Sequence, residues 1–283
     1  MSMLDIEAER EAQTLKLLET LVQIGAPTGQ EHARARFVAS WLTEAGLGQP
    51  VMDEHANVWL RLGPKDEPAV LFDAHLDTVF PDEHVTLQKH GNWWQAMGIS
   101  DNTIHIAMLM VWAKYRHQSG QPWPATILCF TTGEEGQGNL RGMKAVTARL
   151  GADIRQVVVL DCGIRTLIHQ AVGSMRWNVQ ITTPGGHSWV DFGASSAIHV
   201  ACQWVARIDQ LPHWKAEKTT WNIGQIAGGQ SINTIAPQVD LSLEVRSVEA
   251  DRLSQIGDDV IGELHQLAAD RPDVKLSVQC VGR

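Results

Sequence analysis

The chain is short of several things at once. Its 283 residues include one tyrosine and four cysteines, and no apolar run reaches the roughly 18 residues that a membrane-crossing helix needs. The start, Met1-Ser2-Met3-Leu4-Asp5-Ile6-Glu7, lacks the basic and apolar regions of a secretory signal. Cys129, Cys162, Cys202 and Cys280 are scattered. They fit neither a zinc-finger spacing nor a disulfide framework and point to a reducing, cytoplasmic setting. A net charge of -9 with no basic stripe argues against a nucleic-acid partner. No membrane partner is expected either. What is present is an ordinary globular composition, 44% hydrophobic and 19% charged, in a chain long enough for two modest domains.

Hydrophobic periodicity orders the chain into two parts. Residues 5–24 and 30–46 read as amphipathic helices separated by Pro27-Thr28-Gly29. Strands are expected over 57–62, 69–73, 124–131 and 156–160, with helices over 103–115 and 140–149. Strands alternating with helices imply a mostly parallel α/β sheet covered on both faces, over residues 1–171. From Ser174 the pattern alternates, with Met175, Trp177, Val179 and Ile181 on one face. Strands at 174–182, 219–227, 239–245 and 274–281, with helices at 195–208 and 250–268, make residues 172–283 a small α+β domain.

Chemistry collects at the expected strand ends. Asp73-Ala74-His75-Leu76-Asp77-Thr78 closes one apolar run, Thr132-Gly133-Glu134-Glu135-Gly136 a second and Leu160-Asp161 a third. Asp101, in Gly98-Ile99-Ser100-Asp101-Asn102, precedes the 103–115 helix. Parallel strands deliver their C-terminal ends to one sheet edge, so one imidazole and several carboxylates converge there, as a metal site requires. His75-x-Asp77 lets the imidazole bind a cation while the carboxylate orients it, or it is a local hydrogen-bonded pair. Glu134 and Glu135 either share a cation or proton, or start the next helix in solvent. Asp101 is either a ligand or a helix N-cap, and Asp161 a ligand or a turn residue.

These motifs, with Pro184-Gly185-Gly186-His187-Ser188 and Gly228-Gly229-Gln230-Ser231-Ile232-Asn233-Thr234, resemble the dinuclear zinc peptidases and deacylases. That family includes peptidase T, acetylornithine deacetylase, succinyl-diaminopimelate desuccinylase, aminoacylase and the glutamate carboxypeptidases. Gly138-Asn139-Leu140-Arg141-Gly142 and the segment from Trp189 to His199 look most like the peptidase T branch. The resemblance implies two zinc ions per subunit. His75 and Asp161 would hold one, Asp101 would bridge, and Glu135 would hold the other. Asp77 would orient His75, and Glu134 would be the general base in hydrolysis of an amide bond in small peptides or N-acyl amino acids. A cis peptide would follow the bridging aspartate, at Asp101-Asn102. The second domain would be a lid of inserted type that makes a homodimer. Its His187 would stabilise the oxyanion in the partner subunit's site, and Asn233 and Arg246 would hold substrate. On the residues alone, Asn233 is either a substrate contact or a turn cap, and Arg246 either a substrate contact or the partner of Glu244 or Asp240.

The resemblance also implies a further histidine ligand in a segment of roughly a hundred residues beyond Arg283. The catalytic domain is therefore expected to be truncated and its second metal to lack its usual imidazole. His105, one helical turn past Asp101, reads as a core histidine rather than a substitute. Two functional expectations follow. One is a metal-dependent amide hydrolase, and the other an inactive relative with an incomplete metal site that serves as a dimerising or binding protein.

Overall fold

The computed structural model describes residues 3–82, 85–161, 163, 165–211 and 218–283. Cys162 lies outside the described residues. The chain divides into two compact units, Met1–Thr166 and Leu167–Arg283.

The first unit runs α1 (Met3–Val22), α2 (His32–Glu44), β1 (Val51–Met52), β2 (Val58–Leu62), β3 (Ala69–Asp73), β4 (Gln88–His90), β5 (Trp93–Gln95), α3 (Ile104–Gln118), β6 (Thr126–Phe130), α4 (Arg141–Leu150) and β7 (Ile154–Val159). Its main sheet has the order β1-β2-β6-β3-β7. β3 is parallel to both β6 and β7, whereas β1–β2 and β2–β6 are antiparallel. The sheet is therefore mixed, with more antiparallel pairing than strand–helix alternation implies. β2 and β3 follow each other in sequence but do not pair, because β6 slots between them. All five residues of β6 are buried, as its uninterrupted apolar run requires of a central strand. α3 buries Ile106, Ala107, Met110 and Ala113 in the core shared with Leu17, Leu21 and Val38 of α1 and α2.

The second unit contains β8 (Gly173–Thr182), β9 (Gly186–His187), α5 (Ala197–Ile208), β10 (Thr220–Gly228), β11 (Thr234–Ile235), β12 (Gln238–Ser247), α6 (Ala250–Ala269) and β13 (Lys275–Gly282). Four strands form an antiparallel sheet in the order β10-β12-β8-β13. β8 buries Met175, Trp177, Val179 and Ile181, the face its alternation marks. That face packs with Val200 and Trp204 of α5 and with Ile256, Val260 and Leu264 of α6. The Trp204 indole donates to the Val260 carbonyl at 2.9 Å, so the largest buried side chain also ties the two helices together. No helix among the described residues is long and apolar enough to cross a membrane.

Candidate metal centre

The parallel arrangement of β6, β3 and β7 puts three chain ends side by side. Leu76 N–H donates to the Thr131 carbonyl (2.7 Å) and Leu160 N–H to the Asp73 carbonyl (2.8 Å), so the loops after the strands are stitched together before any ligand is considered. A fourth segment joins them. Gly98 has φ +68, and a Cβ there would lie 2.4 Å from Thr78 Cγ2. Only glycine lets the approach to Asp101 pass this close to the loop that carries His75 and Asp77. The Asp101–Asn102 peptide is cis. Asp101 does not cap α3. Its backbone is extended, the cap position falls to Thr103, and its carboxylate faces His75.

The ligand atoms of His75, Asp101 and Asp161 lie within 4.8 Å of one another, and so do those of His75, Glu134 and Glu135. His75 is buried and common to both groups. Its Nδ1 donates to the Asp77 carbonyl at 3.0 Å, while Nε2 faces Asp101 Oδ1 at 3.0 Å and Asp161 Oδ1 at 4.0 Å. Asp77 lies behind the imidazole. One of its carboxylate oxygens accepts Glu134 N–H (3.0 Å), and the other accepts Glu135 N–H (3.0 Å) and the Thr28 hydroxyl (2.8 Å). The residue that orients the histidine thus also orients the paired glutamates. Asp73 lies below the site, where its carboxylate accepts the Thr131 hydroxyl at 3.0 Å. His105 is buried in α3 and belongs to neither ligand group.

The electrostatics fit a cation. Burial alone would lower the His75 pKa, but the Asp77 side chain and the charges of Glu134 and Asp161 outweigh it and hold the imidazole up at about 9. Burial lifts Glu135 to about 7, helped by Asp101 and Glu134. Burial also raises Glu134, against the pull of His75. Asp77 goes the other way. Burial opposes its charge, but His75, the two backbone amides and Thr28 hold it at about 2. One imidazole shared by two pairs of carboxylates, Asp101 with Asp161 and Glu134 with Glu135, is a donor set for borderline-to-hard divalent ions, and such ions would offset the burial that raises the glutamates. His75, Asp101, Asp161, Glu134 and Glu135 therefore fit a metal site.

A pH dependence follows. A group whose folded pKa is raised stabilises the fold below its unfolded value, and that contribution is lost as pH rises through the folded value. For Glu135 and for Asp73, which burial lifts to about 7, the loss is completed near neutrality, and for His75 near pH 9. All three terms share one sign. The metal-free chain is expected to melt at least roughly 5 °C lower at pH 9 than at pH 6. Saturating zinc should remove the share that His75 and Glu135 contribute, because the ion takes the place of their protons, and leave the share of Asp73. Thermal scans with chelator and with zinc check both statements, and a metal-free melting point that climbs with pH would contradict them.

The remaining sequence-derived positions lie in the second unit. His187 is exposed at the end of β9. Its backbone N–H donates to Asp191 (2.7 Å), and its Nδ1 accepts the Trp189 N–H (3.2 Å). Asn233 accepts the Ser231 hydroxyl at 2.9 Å, and its carbonyl accepts Ser188 N–H at 3.0 Å, so it organises a turn beside His187. Arg246 donates twice to Glu244, at 3.0 and 3.1 Å. Glu31 and Arg34 carry no motif, yet both are buried against the site loops. Their signal in the sequence is only that two charges fall on the otherwise apolar face of α2.

Residues 57–170 match the model of peptidase family M28, and residues 170–272 match the peptidase dimerisation domain of M20 type. A peptidase M20 domain-containing protein of Schizosaccharomyces pombe is 26% identical over 89% of this chain and 64% of its own length. The chain thus spans less than two thirds of that relative. A tripeptidase of Staphylococcus aureus superposes with a TM-score of 0.80 at 21% identity, over 96% of this chain and 76% of its own. The Bacillus subtilis YXEP protein, a dinuclear metal-binding peptidase from the M20 family, gives 0.68 at 13% identity, over 96% and 74%. Two successive domain matches make this chain similar to peptidases of families M28 and M20, and the superpositions show that it shares their fold.

Proposed function

We propose that the chain carries the catalytic centre of a metal-dependent amide hydrolase acting on small peptides or N-acyl amino acids. The observation that carries this reading is the convergence of His75, Asp101, Asp161, Glu134 and Glu135, with Asp77 behind them. His75, Asp101, Asp161 and Glu135 would hold two divalent ions, zinc by resemblance. When bound, such ions polarise the scissile carbonyl and acidify water. Glu134 is half-buried with a raised pKa, the condition of a base that takes a proton from water near neutral pH and passes it to the leaving amine. His187 is the proposed oxyanion donor. Accepting the Trp189 N–H at Nδ1 leaves the ring proton on Nε2, the tautomer such a donor needs. Asn233 and Arg246 belong to this reading as substrate contacts, and the second unit as the homodimerisation surface.

One observation favours a second reading. Among the described residues a single histidine serves both ligand groups. A site short of an imidazole could leave a binding or dimerising protein without turnover. Zinc stoichiometry after loading and dialysis, followed by assays on tripeptides and N-acyl amino acids, separates the two. Two retained ions with turnover establish the hydrolase. One ion or none, without turnover, leaves the binding protein.

A further inference from the structure

We propose that Glu31 and Arg34, two buried charges at the start of α2, are positioning residues that brace three of the four loops carrying the metal centre. Both side chains are 1% exposed. Glu31 Oε1 accepts Gly29 N–H (2.9 Å) and Gly133 N–H (3.2 Å) and pairs with the Arg141 guanidinium. Gly133 is followed directly by Glu134 and Glu135, whose amides go to Asp77. Gly133 has φ +64, and a Cβ there would meet the Arg141 side chain at 2.5 Å, so the loop lies directly against the arginine that neutralises Glu31. Arg34, one helical turn on, donates to the Leu76 carbonyl (2.8 Å) and the Thr103 hydroxyl (3.4 Å), and twice to the Ile24 carbonyl (2.9 and 2.6 Å). Leu76 sits between His75 and Asp77, and Thr103 lies two residues after Asp101. One turn of helix therefore reaches the 75–77, 101–103 and 133–135 loops.

Fold stability alone does not account for this arrangement. Burying a guanidinium and a carboxylate costs several kcal/mol of desolvation per ion, and an apolar pair of similar volume usually stabilises a core as well or better. Glu31 instead accepts one hydrogen bond, from Gly133, and Arg34 donates two, to Leu76 and Thr103, in segments that flank His75, Asp77, Asp101 and Glu134. That geometry holds the backbone of the loops that carry His75, Asp101, Glu134 and Glu135. Partners of this kind, one shell removed from the ion, typically change metal affinity by 10- to 100-fold. The inference deepens the metal-centre reading, but the brace can be tested without metal.

The test uses the full chain with Glu31→Gln and Arg34→Lys, by amide hydrogen exchange in chelator and by Co2+ titration. In E31Q the amides of residues 133–135 should exchange about tenfold faster, while those of α3 and β6 keep wild-type rates. Co2+ affinity should drop about 10- to 100-fold in both variants. Should glutamine prevent folding, E31D keeps the charge on an arm too short for Gly133 and should give the same local pattern. Wild-type exchange at 133–135 overturns the brace. So does faster exchange across the whole sheet with unchanged Co2+ affinity, which marks a role in stability alone. A wild-type chain that binds no Co2+ sinks the metal-centre reading, and the exchange pattern then still decides the brace.

Discussion

Replacing Glu134 with glutamine is expected to lower the hydrolytic rate by about 10²- to 10⁴-fold, the usual share of a positioned general base, with KM close to wild type. Glu134 and Glu135 are neighbours, and the ligand atoms of both lie within 4.8 Å of His75, so position alone does not separate a base from a ligand. Environment does so in part. Both carboxyls are raised by burial and opposed by His75, which is the largest influence after burial at Glu134 but follows the Asp101 and Glu134 charges at Glu135. Glutamine is isosteric and cannot take a proton. If Glu134 is the base, E134Q binds as much Co2+ as wild type and turns over far more slowly. If it is a ligand, Co2+ affinity falls together with the rate. Measuring both on one preparation decides between the roles, and unaltered turnover would remove Glu134 from the chemistry.

Asp77→Asn should be the most damaging change that leaves the shape intact. Asp77 is fully buried, and its two oxygens accept the Glu134 and Glu135 amides and the Thr28 hydroxyl while standing beside His75 Nδ1. A carboxylate can serve all these donors because it only accepts. Asparagine offers one oxygen, and its NH2 would face a backbone N–H that is left buried without a partner. At about 1–3 kcal/mol per orphaned group, D77N should lose about 2–4 kcal/mol at pH 7. The pH dependence identifies the cause. Asp77 is held down at about 2, so its stabilising contribution is present above the unfolded value near 4 and disappears as pH falls through 2. The gap between wild type and D77N should therefore narrow in acid. Urea denaturation at pH 7 and pH 3 checks this, and a gap of equal size at both would mean the charge is not what matters. Metal affinity should fall about 10- to 100-fold alongside, because the Glu134 and Glu135 amides lose an acceptor and His75 loses the charge beside it.

The parts of this molecule that were legible in the sequence are those that depend on spacing along the chain. β8 could be read from alternate burial, α5 and α6 from their apolar stripes and β6 from an unbroken apolar run, because period and length reflect which faces are buried. His75, Glu134, Glu135 and Asp161 could be read because residues just past the ends of parallel strands share an edge whatever the loops do, and Asp101 from its place before the α3 helix and the resemblance. The insertion of β6 between β2 and β3 could not, because strand order depends on which hydrophobic faces meet across long separations. The burial of Glu31 and Arg34 was equally hidden. Their partners lie up to 110 residues away, and no local pattern distinguishes a charge that braces a loop from one that meets solvent. The sequence by itself determined which side chains this protein can bring to a metal and that a second, antiparallel unit follows. Only the tertiary structure decided that Asp77 anchors both glutamates, that Asp101 faces His75 instead of capping α3, and that Arg246 is engaged with Glu244. Those outcomes depend on where backbone amides and opposite charges arrive once the core has closed.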